Sequence, residues 1–155
     1  TEEKYAELFP LEKIDLSDMK KLIAEKFYDE KAGMFRSYIG EKTYTEFGNA
    51  LCLSIGLGGE DLAEKITQGK VLKATLAAAA YVYDALLSFG KKYETYVINE
   101  IDKNYKKMLD AGATSFWETV EGVEDGDLSC SLCHGWSALP IYYYALTGRI
   151  KFSKE

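Results

Sequence analysis

The sequence predicts an all-α fold in which antiparallel helical hairpins pack against one another. Segments with the apolar spacing of an α-helix follow one another along the 155 residues, and glycines separate them. Segments that are apolar almost all round alternate with segments that have one polar side. This alternation is typical of an inner and an outer layer of helices, although a simple helical bundle would also produce it.

The first 57 residues contain two predicted helices and one short extended segment. Residues 15–28 form a helix that Asp15 or Ser17 can cap, and its apolar face consists of Met19, Leu22, Ile23 and Phe27. Residues 34–39 are short and can form a strand. Residues 45–57 form the second helix, with Phe47, Ala50, Leu51 and Ile55 on its apolar face.

Four more helices are predicted in the rest of the chain, and the first covers residues 60–68. Residues 71–89 form the longest helix, which is rich in alanine and apolar almost all round, so we expect burial on several sides. Residues 92–109 form an amphipathic helix, and Gly112 is suited to a left-handed helix stop. The last helix begins near Ser137, which can cap it, and Pro140 is tolerated in the first turn.

The composition limits the class of protein. A chain of 155 residues with 47% hydrophobic and 28% charged residues predicts one globular domain covering residues 1–155. A net charge of −6 without a basic stripe argues against nucleic acid as a partner. The strongest apolar run, residues 77–82, is too short to span a membrane. The polar first ten residues and the odd count of three cysteines favour a reducing, cytoplasmic compartment.

Residues 111–137 contain the groups best suited to chemistry. This segment carries both tryptophans, the single histidine, two of the three cysteines and five carboxylates. Loops of this length usually serve binding or catalysis when they are ordered. Glu118 is the best catalytic candidate, because a carboxylate beside the indole of Trp117 can orient a water. Trp117 and Trp136 can stack on a sugar ring, whereas the alternative for both is core packing.

Residues 130–134 also match a different chemistry. Cys130, Cys133 and His134 fit the C-x-x-C-H pattern of covalent c-type haem attachment, so a haem protein is one alternative function. A zinc site would need the distant Cys52 as a fourth ligand. Buried thiols beside a hydrogen-bonded histidine are the simpler interpretation, and we therefore expect no cofactor and no metal.

Two sequence motifs resemble a known family. GATSFWE at residues 112–118 and SLCHGWSA at residues 131–138, followed by an aromatic helix, resemble the end of the catalytic barrel of α-L-rhamnosidases and related six-hairpin glycosidases. The family patterns read close to G-A-T-T-x-W-E and S-x-N/C-H-G-W-S-A. A weaker resemblance covers residues 28–66 and 73–87.

The resemblance implies a partial (α/α)6 toroid, because about six helices make the C-terminal half of such a barrel. It implies inverting hydrolysis of rhamnose-like deoxyhexosides, with Glu118 as the general base, His134 binding sugar hydroxyls, and Trp117 and Trp136 shaping the subsite. The family's general acid lies upstream of the matched region, so the chain is expected to lack it. A homo-oligomer, or association with the missing half of the barrel, would complete the ring. A non-catalytic helical carbohydrate-binding or interaction module is a further alternative.

Overall fold

The computed structural model describes residues 16–122 and 130–151 of the chain, and this part is mainly helical. A two-stranded antiparallel hairpin pairs β1 (Tyr28–Asp29) with β2 (Met34–Phe35). One-turn 3₁₀ helices at Lys91–Tyr93 and Gly135–Ser137 precede the last two α-helices. The α-helices of the described residues are α1 (Ser17–Phe27), α2 (Glu46–Ser54), α3 (Gly59–Thr67), α4 (Leu76–Leu87), α5 (Glu94–Asp110) and α6 (Leu139–Leu146). The all-α prediction is confirmed.

Helix α1 presents its predicted apolar face only partly to the core. Ile23 and Phe27 pack against buried residues, whereas Met19 is 59% and Leu22 is 54% exposed. Ser17 is the first helical residue rather than the cap, and Asp15 lies outside the described residues. One side of α1 therefore remains apolar and open to solvent.

The short hairpin is fixed to α2 by one buried amide. The Phe35 backbone N–H donates to Asn49 Oδ1 at 2.8 Å, and Asn49 Nδ2 donates to the Phe35 carbonyl at 3.0 Å. Asn49 is fully buried, so these bonds satisfy a side chain that would otherwise lose its hydration. The extended segment predicted at residues 34–39 is thus a strand only at Met34–Phe35.

Helix α4 is shorter and more exposed than predicted. Residues 71–75 are not helical, because Leu72 uses its backbone groups elsewhere: it donates to the Tyr44 carbonyl at 2.9 Å and accepts from the Glu46 N–H at 2.8 Å. Leu76, Ala79, Val82, Tyr83, Ala85 and Leu86 are buried, but Ala77 is exposed and Tyr81 is 56% exposed. The helix is therefore buried along one broad face and open on the other, which is less burial than the sequence predicted.

Helix α5 follows the prediction closely. Val97, Ile101, Tyr105 and Met108 are buried along one face. The helix ends in a Schellman motif, in which the Gly112 N–H donates to Leu109 and the Ala113 N–H donates to Met108. Gly112 has a φ of 88°, the left-handed conformation that this motif requires. The stop places residues 113–118 directly after α5.

The start of α6 differs from the prediction. Ser137 belongs to the preceding 3₁₀ turn, and its buried hydroxyl has no hydrogen-bond partner among the described residues. Ala138 occupies the cap position instead, with Pro140 in the first turn as expected. Ser137 anchors the helix differently, because its carbonyl accepts a hydrogen bond from the Tyr105 hydroxyl of α5.

One hydrophobic core joins the helices from α2 to α6. Its fully buried members include Leu62 and Ile66 of α3, Leu86 of α4, Ile101 of α5 and Tyr143 of α6. Within the part of the chain that the structure describes, no helix has the length and apolar character needed to cross a membrane.

Candidate active site

The two motif segments lie side by side after α5. The Glu118 N–H donates to the Ser131 carbonyl at 2.8 Å, and the His134 N–H donates to the Phe116 carbonyl at 2.7 Å. Phe116 contacts Tyr105 of α5 edge-on, with 5.9 Å between the ring centres. Because the backbones are paired at two points, Glu118 and His134 are held at fixed positions relative to each other.

The Glu118 carboxylate is oriented by the opposite segment. Ser131 donates its backbone N–H to Glu118 Oε2 at 2.9 Å, which completes a reciprocal pair with the Glu118 N–H. The side chain of Glu118 is 34% exposed. A carboxylate has about four acceptor positions, so one N–H leaves capacity to accept a hydrogen bond from a water. This is the arrangement that a general base needs.

His134 lies beside Glu118 and stacks on Trp136. Its Nδ1 is 3.9 Å from Glu118 Oε2, which is longer than a hydrogen bond. The imidazole and the Trp136 indole have ring centres 3.8 Å apart with an angle of 40° between the planes. Trp136 is 50% exposed, so part of its face is open to solvent. The structure therefore brings three of the predicted residues together: Glu118, His134 and Trp136.

Trp117 has a different environment. It is 9% exposed and belongs to the core cluster. A Cβ atom on Gly122 would lie only 2.6 Å from Cε3 of the indole, so the backbone after the site packs directly on the ring. Trp117 therefore packs as a core residue and supports the position of the neighbouring Glu118. Its role in shaping a sugar subsite stays a prediction.

Glu118 also lines a cleft of about 490 Å³ between α4, α5 and the segment that follows α5. The apolar lining includes Leu76, Ala79, Tyr83 and Val120, and the charged lining consists of Glu46, Lys73, Glu100, Lys103, Lys107, Glu118 and Glu121. Trp117, His134 and Trp136 are not among the described residues that line it. Glu118 is thus the residue shared by the motif cluster and the cleft.

Another cleft carboxylate, Glu121, is committed to an ion pair. Lys107 donates to its Oε1 at 2.8 Å, and this hydrogen bond holds the pKa of Glu121 below its usual value. The side chains of Lys107 and Glu121 are 59% and 46% exposed, so the pair lies at the rim. Glu121 therefore differs from Glu118 in being neutralised by a neighbouring lysine.

The cysteines do not form an obvious metal site. Cys52 is buried in α2, Cys133 is exposed, and the Cys130 thiol lies 3.2 Å from the Thr119 hydroxyl. Among residues 16–122 and 130–151, no group of three or more His, Cys, Asp or Glu side chains is placed to hold a metal ion. Haem attachment through Cys130, Cys133 and His134 stays a prediction, which the presence or absence of a Soret band tests directly.

Sequence reasoning did not single out Glu46, Lys73, Tyr96 or Glu100, although they form a connected polar network at the cleft. The sequence around each of these residues is typical of an ordinary surface position on a helix or loop. Only the contact between α2, the segment before α4, and α5 brings them together. The amphipathic pattern of α5 is the one sequence signal that could have pointed to Glu100, but no prediction was made for that residue.

The fold is similar to that of a known glycosidase. A rhamnosidase from Klebsiella oxytoca with rhamnose bound superposes with a TM-score of 0.69 at 20% sequence identity, covering 86% of this chain. The chain spans only 28% of the length of that rhamnosidase. No protein-family model matches the sequence, and no curated protein matches it. At this identity the similarity establishes a rhamnosidase-like, and more generally a glycoside hydrolase-like, fold.

Proposed function

We propose that this chain is a catalytic-domain portion of an inverting glycoside hydrolase that acts on α-L-rhamnosides or similar deoxyhexosides. The observation that carries the proposal is the Glu118 carboxylate, which Ser131 orients at 2.9 Å at the edge of the cleft. The motif resemblance and the rhamnosidase-like fold support the same assignment. Glu118 is the proposed general base, and His134 and Trp136 are the proposed sugar contacts beside it.

In this mechanism Glu118 takes a proton from water while the water oxygen attacks the anomeric carbon. The bond from that carbon to the leaving oxygen breaks, and a general acid protonates the leaving oxygen. The two carboxyl groups of an inverting enzyme stand about 6.5–9.5 Å apart, which leaves room for the water. We assign only the base to this chain. The acid belongs to the part of the barrel that the resemblance places upstream.

The proposal is tested by hydrolysis of a dinitrophenyl α-L-rhamnoside. This aryl α-L-rhamnoside has an acidic leaving group that departs without protonation, so the test does not require the general acid that we do not assign to this chain. We expect the wild-type chain to release the aryl alcohol above the buffer rate and Glu118→Gln to lose about 10²-fold or more of that rate, because the amide cannot accept the proton. Glu121→Gln is the matched control, since it removes another cleft carboxylate that Lys107 already neutralises. It should keep nearly all of the activity.

Two results would contradict the assignment. Equal rates for wild type and Glu118→Gln would favour a helical binding or interaction module that has the fold without the chemistry. A first product with the same anomeric configuration as the substrate, read by NMR, would exclude inversion even if hydrolysis occurs.

We also propose that the chain associates with a second copy of itself. Leu51 of α2 and Ala77 and Tyr81 of α4 are exposed apolar residues, and Phe47 of α2 is half-buried. We call these four residues the α2–α4 patch. Phe47 and Tyr81 contact each other edge-on, with 5.6 Å between ring centres. A half ring of helical hairpins would leave one helix layer uncovered, and apolar patches of this kind commonly mark interfaces.

A further inference from the structure

One buried carboxylate organises the charged wall of the cleft. Glu46 is 5% exposed and accepts three hydrogen bonds: from the Ala74 N–H at 2.9 Å, from the Tyr96 hydroxyl at 3.0 Å and from Lys73 Nζ at 3.2 Å. Burial raises the pKa of Tyr96 to about 12, so its hydroxyl remains a donor at neutral pH. Glu46 is thus fully engaged and serves to hold Lys73 in place.

Glu46, Lys73 and Glu100 all line the cleft, and Lys73 and Glu100 are the more exposed of the three. Their charged atoms are 2.8 Å apart, and their side chains are 45% and 20% exposed. The Lys73 ammonium has three donors, and it already contacts three acceptors: Glu46, the Tyr96 hydroxyl and Glu100. The Glu100 carboxylate has about four acceptor positions, so it keeps unused capacity beside the contact with Lys73. A sugar hydroxyl can donate a hydrogen bond to such a free acceptor position.

The charge balance of the cleft indicates the kind of ligand. Four carboxylates, Glu46, Glu100, Glu118 and Glu121, face three lysines, Lys73, Lys103 and Lys107. A nearly balanced lining gives an anionic ligand no net attraction, whereas an uncharged polyol gains hydrogen bonds without a charge penalty. The apolar lining, including Tyr83 and Val120, offers a surface for the C–H face of a ring.

We propose that Glu100, which Lys73 holds in place, accepts hydrogen bonds from the hydroxyl groups of an uncharged sugar ring in this cleft, next to Glu118. The inference rests on the proposed glycosidase function and assigns substrate recognition to a residue outside both sequence motifs. Lys73 is a positioning residue because it acts through Glu100, and Glu46 is one because it acts through Lys73. Glu100 holds the ring before and during the reaction alike, so it contributes to affinity rather than to the chemical step.

Binding of L-rhamnose by isothermal titration calorimetry tests this assignment, together with KM and kcat for the aryl α-L-rhamnoside. We expect Lys73→Met and Glu100→Gln to weaken binding and raise KM about tenfold or more, since hydrogen bonds to charged groups are lost. The value of kcat should remain within about twofold. Glu100→Gln keeps the Lys73–Glu46 contact, so it remains informative if Lys73→Met folds poorly.

Matched controls come from an ion pair away from the cleft. Lys92 contacts Glu60 at 2.6 Å and Glu64 at 2.9 Å on the surface. Lys92→Met and Glu60→Gln should leave the dissociation constant and KM unchanged. Circular dichroism melting of all four variants separates loss of binding from loss of structure.

The outcomes distinguish this inference from the proposed function. Hydrolysis that depends on Glu118 but not on Lys73 or Glu100 would overturn the inference alone. Rhamnose binding that both cleft variants weaken, in a chain that hydrolyses nothing, would overturn the proposed function alone. Absence of rhamnose binding by the wild type, or tighter binding of D-galacturonate than of rhamnose, would also contradict an uncharged-sugar site.

Discussion

At Glu118, a local backbone pairing determines where the side chain of the proposed general base points. Ser131 accepts from the Glu118 N–H at 2.8 Å and donates its own N–H to Glu118 Oε2 at 2.9 Å. A hydrogen bond to a carboxylate is stronger than one between neutral groups, so it restricts the side-chain rotamer. The motif indicated Glu118 as a catalytic candidate. Its partner Ser131 was not predicted, because their contact requires residues 116–118 and 131–134 to pair.

The Asp29 carboxylate at the hairpin also accepts hydrogen bonds, and it does so from several donors. Its Oδ1 accepts from the Lys31 and Ala32 N–H groups, and its Oδ2 accepts from Arg36 at 2.7 Å and from the Tyr44 hydroxyl at 2.8 Å. The hydrogen bonds from Arg36 and Tyr44 hold the pKa of Asp29 well below its usual value. The carboxylate form is therefore favoured in the folded state.

The lowered pKa of Asp29 predicts that the protein loses stability at acidic pH. Because the pKa of Asp29 is lower in the folded state, ionised Asp29 adds to the free energy of unfolding. This contribution is complete above the ordinary aspartate pKa of about 3.9, and it is lost as the pH falls through the lowered pKa. We expect Asp29→Asn to lower the melting temperature at pH 7. The difference in melting temperature between this variant and the wild type should become smaller below about pH 4. Thermal melts from neutral to acidic pH measure this.

The control for Asp29→Asn is Asp110→Asn, which removes an exposed carboxylate that pairs with Lys106. Exposed pairs of this type contribute little, so its melting curve should follow that of the wild type. A gap between wild type and Asp29→Asn that stays constant across this pH range would show that the ion pair does not cause the effect.

At the scale of elements, two threonines precede helices and differ in what their hydroxyls do. The Thr45 hydroxyl accepts from the Gly48 N–H at 3.2 Å at the start of α2, whereas Thr75 makes no side-chain capping bond at the start of α4. A capping hydroxyl satisfies one of the first-turn N–H groups that lack helical partners. The same residue type therefore has different effects on the two helices.

We expect Thr45→Ala to reduce the free energy of unfolding by about 1 kcal/mol. Thr75→Ala should change it by less than about 0.5 kcal/mol, because no capping bond is lost. Urea denaturation followed by circular dichroism gives both values. Equal losses in the two variants would mean that the Thr45 hydrogen bond is not the source of the stabilisation.

At the scale of the whole molecule, the described helices leave apolar surface uncovered. Met19 and Leu22 of α1 are exposed on one side, and Tyr81 of the α2–α4 patch is 56% exposed. A complete ring of hairpins would place a further helix against such a layer. In the proposed half ring, the exposed side of α4 is the surface that a further helix would cover.

Association through the α2–α4 patch predicts a dimer in sedimentation velocity at micromolar concentration. Tyr81→Lys should shift the population to monomer, because a charge at the centre of the interface loses its hydration. Tyr38→Lys is the matched control, since Tyr38 is 63% exposed in the loop after the hairpin. A single monomeric species of the wild type across concentrations would contradict the association.

Sequence periodicity determined the helices, because local spacing and stop residues depend on neighbours a few positions apart. It predicted the buried face of α5 and its stop at Gly112, and the motifs identified Glu118 and His134. Tertiary structure alone decided that Trp117 is buried while Trp136 is half exposed. It also joined Glu46, Lys73 and Glu100 into one cleft wall, because such contacts link distant segments whose pairing no local pattern encodes.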